Sequence, residues 1–342
     1  MARRLTLREE RFAYREPFRI AGHLFTNTSV LVAEIAEGDC VGLGEGAGVY
    51  YLGDDLAHMR EAAESVRAEL EAGAGRAELQ SLLPPGGARN ALDCALWDLD
   101  SRMRGVPAWQ LAGVGGFRPL PTTMTIGADT PDVMAAAASR RFGDWPMLKL
   151  KLTGEEALDA ERLRAVRAIR PDAWIGVDAN QGYTIENLPG LIEILIETRV
   201  ELLEQPLARG ADRLVDGVAR PLPFAADESV CTLAEVDLAI NRFDVVNIKL
   251  DKCGGLTEAL AIARKCRDLG LQVMVGNMMG SSLSMAPSMV VGQLCDIVDL
   301  DGPTFLASDR PGAVRYSDGK VAAGDGGWGL LAAERAPSSK SD

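Results

Sequence analysis

The sequence predicts an α/β protein in which a small α+β domain precedes a barrel of alternating strands and helices. Strand patterns and then helical patterns occupy residues 1–115. From Pro121 onward, short apolar strands alternate with helical segments in eight units over about 185 residues, which is the cadence of a (β/α)8 barrel. Most of these strands end in a charged residue. A doubly wound open sheet is the alternative, and eight consecutive parallel units disfavour it.

The N-terminal segment is predicted to form strands followed by two helices. Ser29–Ile35 is apolar and β-branched, and a turn at Gly38-Asp39 follows it. Val41–Gly46 is a second strand, but its glycines lack the strand–turn–helix context of a dinucleotide site. Apolar spacing predicts helices over 55–72 and 88–104, with Gly105 ending the second.

The barrel elements follow from period-two strands and helical apolar stripes. One helix has Leu163, Val166 and Ile169 on one face, and another has a stripe from Leu188 to Ile196. Thr232 and Glu235 form a capping box that predicts the start of a further helix. The last residues, 336–342, are expected to be a solvated tail. The predicted strands are 123–126, 147–152, 175–178, 200–204, 224–227, 244–250, 272–275 and 297–300.

Composition excludes several classes of function. The 342 residues carry a net charge of −13 without a basic patch, so neither nucleic acid nor an anionic membrane is an expected partner. No apolar run approaches the ~20 residues of a membrane span, and the polar start is unlike a signal peptide. Six scattered cysteines indicate a reduced, cytoplasmic protein. Two early histidines argue against a Ser-His-Asp triad in the main domain.

Three carboxylates close successive strands of the predicted barrel. Asp178, Glu204 and Asp227 lie 26 and 23 residues apart, one in each βα unit. Parallel strands end at the same rim, so these side chains should converge, and they repel each other unless a cation lies between them. Hard oxygen ligands suit Mg²⁺. The alternative is that each residue only caps the helix that follows.

Lysines flank the predicted carboxylate cluster. Only seven of the 36 basic residues are lysines, and Lys149 and Lys151 share one face of a strand otherwise made of leucine. Neighbouring ammonium groups disfavour each other's charge, which would help one of them act as a base. Lys249 closes the strand after the carboxylate strands. Lysines on both sides of a metal suit removal of a proton beside a carboxylate and its return on the other face, through a metal-stabilised enediolate. The alternative is an edge strand with solvated lysines.

As a set, these motifs resemble the enolase superfamily, muconate-lactonizing-enzyme subgroup. The resemblance rests on Lys149-Leu-Lys151, Val177-Asp178-Ala-Asn180, Leu203-Glu204-Gln-Pro206, Ala226-Asp227-Glu-Ser229 and Asn247-Ile-Lys249, and it includes Ala91-Leu-Asp93 and Trp97-Asp98 near the N-terminus.

The resemblance implies a modified (β/α)7β TIM-type barrel, residues 116–308, under an N-terminal α+β capping domain, residues 1–115, completed by 309–342. A homo-oligomer is also implied. The resemblance further implies that Asp178, Glu204 and Asp227 are the Mg²⁺ ligands. Lys151 and Lys249 become the catalytic acid/base pair, with Lys149 as a companion that tunes Lys151 or touches the substrate carboxylate.

Asp299 and Asp301 indicate the reaction within this subgroup. They share a face at the end of the last strand, and the pair is similar to the Asp-x-Asp with which dipeptide epimerases hold the substrate ammonium. Two carboxylates there would attract a cation and repel a wholly anionic substrate. The expected enzyme is a Mg²⁺-dependent isomerase, a dipeptide epimerase that inverts the α-carbon of the C-terminal residue. For Asp301 the alternative is a turn residue before Gly302-Pro303.

Other functions stay open. An N-acylamino acid racemase, a cycloisomerase or a dehydratase would share the lysines and the metal. A phosphate-binding barrel such as an aldolase needs glycine-rich loops after its last two strands, and only Gly276 and Gly280 match that requirement. A non-catalytic binding protein would be expected to lack some of these positions, and the sequence has all of them.

Side-chain specificity is expected from the loop over Arg19 to Thr28. In L-Ala-D/L-Glu epimerases an arginine of this loop pairs with the substrate glutamate, and the alignment places His23 near that position and Arg19 four residues earlier. This departure disfavours a glutamate-containing substrate. Asn277 and Met278, in the loop after the seventh strand, are further predicted substrate contacts.

Overall fold

The N-terminal segment forms an antiparallel sheet, seen in a computed structural model that describes residues 3–20 and 22–331. The run Val30–Ala33 is fully buried because both faces of the sheet are covered: Leu31 and Ala33 pack with the helices, and Val30 and Val32 belong to the core shared with the barrel. Gly38 has φ +60°, which confirms the turn predicted between the second and third strands. The strands are β1 (Arg4–Ile20), β2 (His23–Glu37) and β3 (Cys40–Ala47), in spatial order β1-β2-β3.

Helices cover one face of this sheet. The predicted helix 88–104 is confirmed, and it ends at Gly105 with φ +64°. The predicted helix 55–72 is interrupted at Val66, whose ψ of 10° leaves the helical region. Two short helices, at 76–82 and 108–111, were not predicted. The bounds are α1 (Leu56–Ser65), α2 (Arg67–Glu71), α3 (Arg76–Leu82), α4 (Gly87–Arg104) and α5 (Ala108–Leu111).

The three alternate glycines of β3 lie against α4. A Cβ added at Gly42, Gly44 or Gly46 would overlap a backbone carbonyl of that helix. These glycines therefore serve close packing of strand and helix, rather than a nucleotide. The close approach holds α4 across the N-terminal sheet.

Eight parallel strands form the second sheet of the described residues. Each pairs with its sequence neighbour in the order β5 to β12. The Thr123 N–H donates to the Val298 carbonyl at 3.1 Å, which joins the first strand to the last and closes the barrel. The strands are β5 (Met124–Ile126), β6 (Met147–Lys151), β7 (Trp174–Asp178), β8 (Leu202–Glu204), β9 (Phe224–Ala226), β10 (Val245–Ile248), β11 (Gln272–Val275) and β12 (Ile297–Val298).

Seven connections link these strands, and the described chain has no α-helix after the last, as in the expected (β/α)7β barrel. Two connections contain only 3-10 turns, at 212–215 and 233–239. Glu235 accepts the Thr232 N–H at 3.1 Å, so the predicted capping contact exists but opens a 3-10 helix. The helices are α6 (Pro131–Arg140), α7 (Glu156–Ile169), α8 (Leu188–Glu197), α9 (Leu250–Cys253), α10 (Leu256–Asp268) and α11 (Ser282–Gly292).

Two members of the predicted apolar stripes are not in the core. Leu163 and Val166 are buried, whereas Ile169 at the end of α7 is 49% exposed. Ile196 near the end of α8 is 55% exposed. The stripe prediction is wrong at these positions, because each isoleucine lies to the side of the buried helix face: the adjacent Leu195 and Arg170 are buried.

The chain returns to the N-terminal domain after the barrel. A small sheet joins β4 (Leu120–Pro121), β13 (Arg315–Ser317) and β14 (Lys320–Ala322). The Trp328 indole N–H donates to the Leu43 carbonyl at 2.8 Å. The domain limits at 115 and 308 stay predictions, and the predicted tail, 336–342, lies outside the described residues. Within the described ranges, no helix combines the length and apolar character needed to cross a bilayer.

Candidate active site

Strand register brings the three predicted carboxylates together at the mouth of the barrel. Asp178 on β7 pairs with Glu204 on β8, and Glu204 pairs with Ala225, two residues before Asp227. Each residue offers an oxygen within 4.8 Å of those of the other two, and all three are fully buried. Three parallel strands that end together therefore produce one carboxylate cluster, instead of three separate helix caps.

Burial of three like charges perturbs their ionisation. Burial and the neighbouring Asp178 carboxylate raise the pKa of Glu204 to about 7. For Asp227, burial opposes ionisation, but the ammonium groups of Lys249 and Lys252 outweigh it and lower the pKa. Lys151 and Lys149 likewise lower the pKa of Asp178 against the effect of burial. The cluster thus needs positive charge close to it.

The leucine–lysine alternation of β6 is confirmed. Leu148 and Leu150 are fully buried in the core, each stabilising the fold by about 2 kcal/mol. Lys149 and Lys151 face the barrel mouth and are 3% and 9% exposed. Because β6 lies between β5 and β7, the edge-strand alternative is wrong.

The ammonium group of each predicted lysine contacts a carboxylate. The Lys151 Nζ donates to Asp178 at 2.6 Å, and the Lys249 Nζ donates to Asp227 at 2.7 Å. The Lys149 Nζ lies 2.7 Å from a Glu204 oxygen and 2.8 Å from Asp299. Lys151 and Lys249 therefore approach the cluster from β6 on one side and from the end of β10 on the other.

The expected depression of the lysine pKa is wrong for Lys149. Burial lowers its pKa, but the Asp299, Glu204 and Asp178 carboxylates outweigh burial and raise it. The pKa of Lys249 is also raised, since Asp227 and Glu204 outweigh its burial. Carboxylate contact dominates the repulsion between lysines at these distances.

Asp299 and Asp301 enter the same cavity from the end of the last strand. Asp299 accepts the Thr123 hydroxyl at 2.5 Å, and Asp301 accepts the Thr125 N–H at 2.6 Å. Lys149 holds the pKa of Asp299 low against its burial. Burial and the Asp299 charge raise the pKa of Asp301 to about 7. Asp301 precedes the 3-10 turn at 302–305, but its side chain makes no capping bond there and lines the cavity.

The cavity above these groups has a volume of about 520 Å³. Barrel residues form its floor, and the tip of the β1–β2 hairpin and residues 47–56 form its cover. The hairpin is tied to the barrel because the Thr28 hydroxyl donates to the Met279 carbonyl at 2.8 Å. The predicted site residues that line the cavity are Lys149, Lys151, Lys249, Asn277, Met278, Asp299 and Asp301.

Neither of the two predicted residues of the specificity loop lines the cavity. His23 is exposed at the rim, with its ring centroid 5.8 Å from Phe25 and 4.8 Å from Tyr50. Arg19 lines a separate cleft on the other face of the hairpin. The structure brings Phe25 and Tyr50 to the cavity in their place.

Sequence reasoning missed two buried partners of the cluster. Lys252 donates to the Asp227 carboxylate at 2.6 Å and to the Asn247 carbonyl at 2.9 Å. The Asn247 amide donates to Glu204 at 2.8 Å. A lysine one helical turn after Lys249, in a chain poor in lysine, was the available signal for Lys252. These residues fix the carboxylate orientations.

Family models match both parts of the chain. The "Enolase C-terminal domain-like" model matches residues 132–336, and the "Mandelate racemase / muconate lactonizing enzyme, N-terminal domain" model matches residues 2–113.

Individual proteins resemble the chain over nearly its full length. The L-Ala-D/L-Glu epimerase of Escherichia coli K12 is 38% identical, over 92% of this chain and 97% of that protein. An Agrobacterium tumefaciens enolase family member with bound sodium and L-Ala-L-Glu superposes with a TM-score of 0.89 at 38% identity, covering 93% of this chain and 97% of that one. The Methylococcus capsulatus dipeptide epimerase, complexed with Mg and L-Arg-D-Lys, gives 0.88 at 31%, covering 94% and 97%. The chain therefore belongs to the mandelate racemase / muconate lactonizing enzyme family of the enolase superfamily.

Proposed function

We propose that the protein is a Mg²⁺-dependent dipeptide epimerase that inverts the α-carbon of the C-terminal residue. One observation carries this proposal: Lys151 and Lys249 approach a single cavity from opposite sides of the carboxylate cluster. Two bases on opposite faces of one carbon allow a proton to leave on one face and return on the other.

The donor set fits a Mg²⁺ ion. Asp178, Glu204 and Asp227 would hold it through hard carboxylate oxygens. Bound there, Mg²⁺ would supply positive charge that stabilises the charge developing on the substrate carboxylate as the α-proton leaves. A cation beside Glu204 would favour its ionised form and lower its raised pKa, which is a further reason why this cluster favours a cation.

The lysines would exchange roles with the direction of the reaction. A neutral Lys151 takes the α-proton of one stereoisomer, and the protonated Lys249 delivers a proton to the other face. Lys249 would release its own proton more readily once Asp227 shares its charge with a bound cation. Lys149, between Glu204 and Asp299, would keep the substrate carboxylate end of the cavity positive.

Asp299 and Asp301 favour a dipeptide over an N-acylated amino acid. Both line the cavity and are nearly fully buried. A free ammonium on the N-terminal residue would neutralise this pair, whereas an anionic acyl group would be repelled. A racemase of N-acylamino acids, a cycloisomerase and a dehydratase remain the alternatives that share the lysines.

The decisive experiment follows α-proton exchange in D₂O by NMR with Mg²⁺ present. A set of L,L-dipeptides is compared with the matching N-acetyl and N-succinyl amino acids. We expect exchange only with substrates that have a free amino terminus, and its loss on adding a chelator. Exchange confined to N-acyl substrates would instead assign the chain to the racemases and leave Asp299 and Asp301 without the proposed role.

A homo-oligomeric state and a cytoplasmic location are the finer parts of this proposal. They are supported by the family resemblance and by six cysteines that form no disulfide among the described residues. Light scattering and cell fractionation would test them.

A further inference from the structure

The cover of the cavity is apolar and aromatic where it meets the hairpin. Tyr14, Phe18, Ile20, Phe25 and Met279 line it there, next to Tyr50. The first three are buried with Phe305 and Leu306 in one hydrophobic cluster, against which Phe25 and Met279 pack. The Phe18 and Phe305 rings meet edge to face at 4.8 Å, which fixes the hairpin on the barrel. This aromatic wall is a packed surface.

The register of the hairpin decides which side chains form the wall. Phe18 pairs with Phe25, and Arg19 pairs with Leu24. Directly opposed residues project to one face and alternate residues to the other. Phe25 therefore faces the cavity, and Phe18 borders both the cavity and the cleft behind it. Arg19 and Leu24 line only that cleft.

No described lysine or arginine is available at the aromatic wall, and the His23 ring, on the same face of the hairpin as Phe25, stays exposed at the rim. The basic residues that line the cavity are Lys149, Lys151 and Lys249, and each is in contact with a carboxylate of the floor. Asp54 and Asp55 line the same cavity on the side of Tyr50. A carboxylate placed against this wall would lose hydration without gaining a lysine or arginine to pair with.

The tetrahedral α-carbon allows one substituent to reach the wall, if the proposed function holds. Its hydrogen points at Lys151 or Lys249, its carboxylate at the floor, and its nitrogen towards the aminoacyl group held by Asp299 and Asp301. The remaining substituent is the side chain of the C-terminal residue, which projects to the cover. We propose that the aromatic wall selects dipeptides whose C-terminal side chain is neutral and apolar, aromatic or branched aliphatic, and excludes glutamate.

The test compares kcat/KM for L-Ala-L-Phe, L-Ala-L-Leu, L-Ala-L-Glu and L-Ala-L-Lys in the Mg²⁺-loaded enzyme. We expect the apolar pair to exceed the Glu and Lys dipeptides by at least about tenfold. A preference for L-Ala-L-Glu or L-Ala-L-Lys would overturn the specificity and leave the epimerase standing. Exchange with none of the four dipeptides would overturn the proposed function, and the specificity with it.

A matched pair of variants tests whether the aromatic wall is the surface that selects the C-terminal side chain. Phe25→Arg puts a cation on the cavity face and should raise the Glu-to-Phe ratio of kcat/KM by at least about tenfold. Leu24→Arg makes the same charge change one residue away on the opposite face, and should leave the ratio within about threefold. If Phe25→Arg fails to fold by circular dichroism, Phe25→Ala should lower kcat/KM for L-Ala-L-Phe more than for L-Ala-L-Ala. An equal response of the Phe25 and Leu24 variants would place the selection elsewhere.

Discussion

At the scale of single residues, the buried lysines and carboxylates at the mouth of the barrel neutralise each other's charges. Each of four buried ammonium groups lies on at least one carboxylate oxygen. Their charges are compensated only as a set, since each carboxylate is too deeply buried for water to replace a lost partner. The residues of this set are Lys149, Lys151, Lys249, Lys252, Asp178, Glu204, Asp227 and Asp299.

Removal of one base should separate the two half-reactions. We expect Lys151→Ala and Lys249→Ala each to lower epimerisation by at least about 10²-fold. Each variant should keep α-proton exchange with one stereoisomer only, and the two variants should keep opposite ones, because the remaining lysine serves one face. NMR in D₂O with each pure stereoisomer measures this.

The control for those variants is Lys265→Ala, on a partly exposed lysine outside the cavity that pairs with Asp237 at 2.9 Å. Its activity should equal that of the wild type. Epimerisation at the native rate by both active-site variants would show that the two-base assignment is wrong.

Lys252 should contribute more to the free energy of unfolding than a surface lysine does. It is 1% exposed and bonds Asp227 and the Asn247 carbonyl. Lys252→Met would leave one oxygen of the buried Asp227 carboxylate and the Asn247 carbonyl without this partner, although Lys249 still pairs with the other oxygen, so we expect a loss of about 3 kcal/mol in the free energy of unfolding. Lys265→Met, at the surface pair, should cost less than about 1 kcal/mol. Urea denaturation compares the two, and similar losses would contradict the role given to Lys252.

The carboxylates and lysines could be predicted because a parallel barrel has simple positional rules. A charged residue that ends an apolar strand reaches the rim, and period two assigns Lys149 and Lys151 to one face. The same rules could not place His23 and Arg19. Their faces depend on the register of a hairpin, and a shift of one residue exchanges every side chain between faces.

At the scale of elements, the contact of β3 with α4 shows how small residues set a distance. Gly42, Gly44 and Gly46 alternate along the strand, so all three meet the helix on one face. The helix in turn carries Asn90, whose amide donates to the Glu45 carbonyl of that strand at 3.3 Å. The spacing of this one pair of elements thus positions the edge of the N-terminal domain that meets the barrel.

A single methyl group should disturb this contact. Gly44→Ala would force the strand away from the Ala91 carbonyl, and we expect the free energy of unfolding to fall by about 1–3 kcal/mol. Gly116→Ala is the matched control, because a Cβ there meets no atom within 4 Å, and it should change stability by less than about 0.5 kcal/mol. Thermal unfolding followed by circular dichroism tests both, and an unchanged Tm for Gly44→Ala would refute the packing role.

The positions of the barrel strands and of the longer helices were predictable, but helix type and the short elements were not. The capping box at Thr232 and Glu235 signals a start without fixing the hydrogen-bond pattern of the turns that follow. The interruption at Val66 has no glycine or proline to mark it. Tertiary packing decides these cases, because the local preferences are worth only a few tenths of a kcal/mol.

At the scale of the whole molecule, buried polar contacts join the N-terminal domain to the barrel. The Asp251 carboxylate on α9 accepts the Ala47 N–H and the Asn90 amide, both at 2.8 Å. Its burial raises its pKa to about 7, against the opposing effect of these two hydrogen bonds. The contact between domains therefore includes a group that titrates near neutral pH.

Stability should depend on pH through this residue. A carboxyl with a raised folded pKa contributes stability that is complete below the unfolded value, near pH 4, and is lost as the pH rises through about 7. Asp251→Asn keeps an acceptor and cannot ionise, so its Tm relative to the wild type should rise by a few degrees between about pH 5 and about pH 8. Asp237→Asn, at an exposed position, is the control. A relative Tm independent of pH would contradict the assignment.

The cavity unites chain segments that are synthesised at opposite ends of translation. Phe18 and Ile20 leave the ribosome early, whereas Asp299 and Asp301 emerge only after most of the chain. Arg310, later still, pairs with Glu10 and Glu45 of the first strands at 2.7 Å and 2.9 Å. A nascent chain therefore has no closed cavity. The phenylalanines of its hairpin stay exposed until the barrel residues that bury them have been synthesised. Ribosome-stalled intermediates of this protein should be clients of chaperones that bind aromatic segments, until the last quarter of the barrel is made.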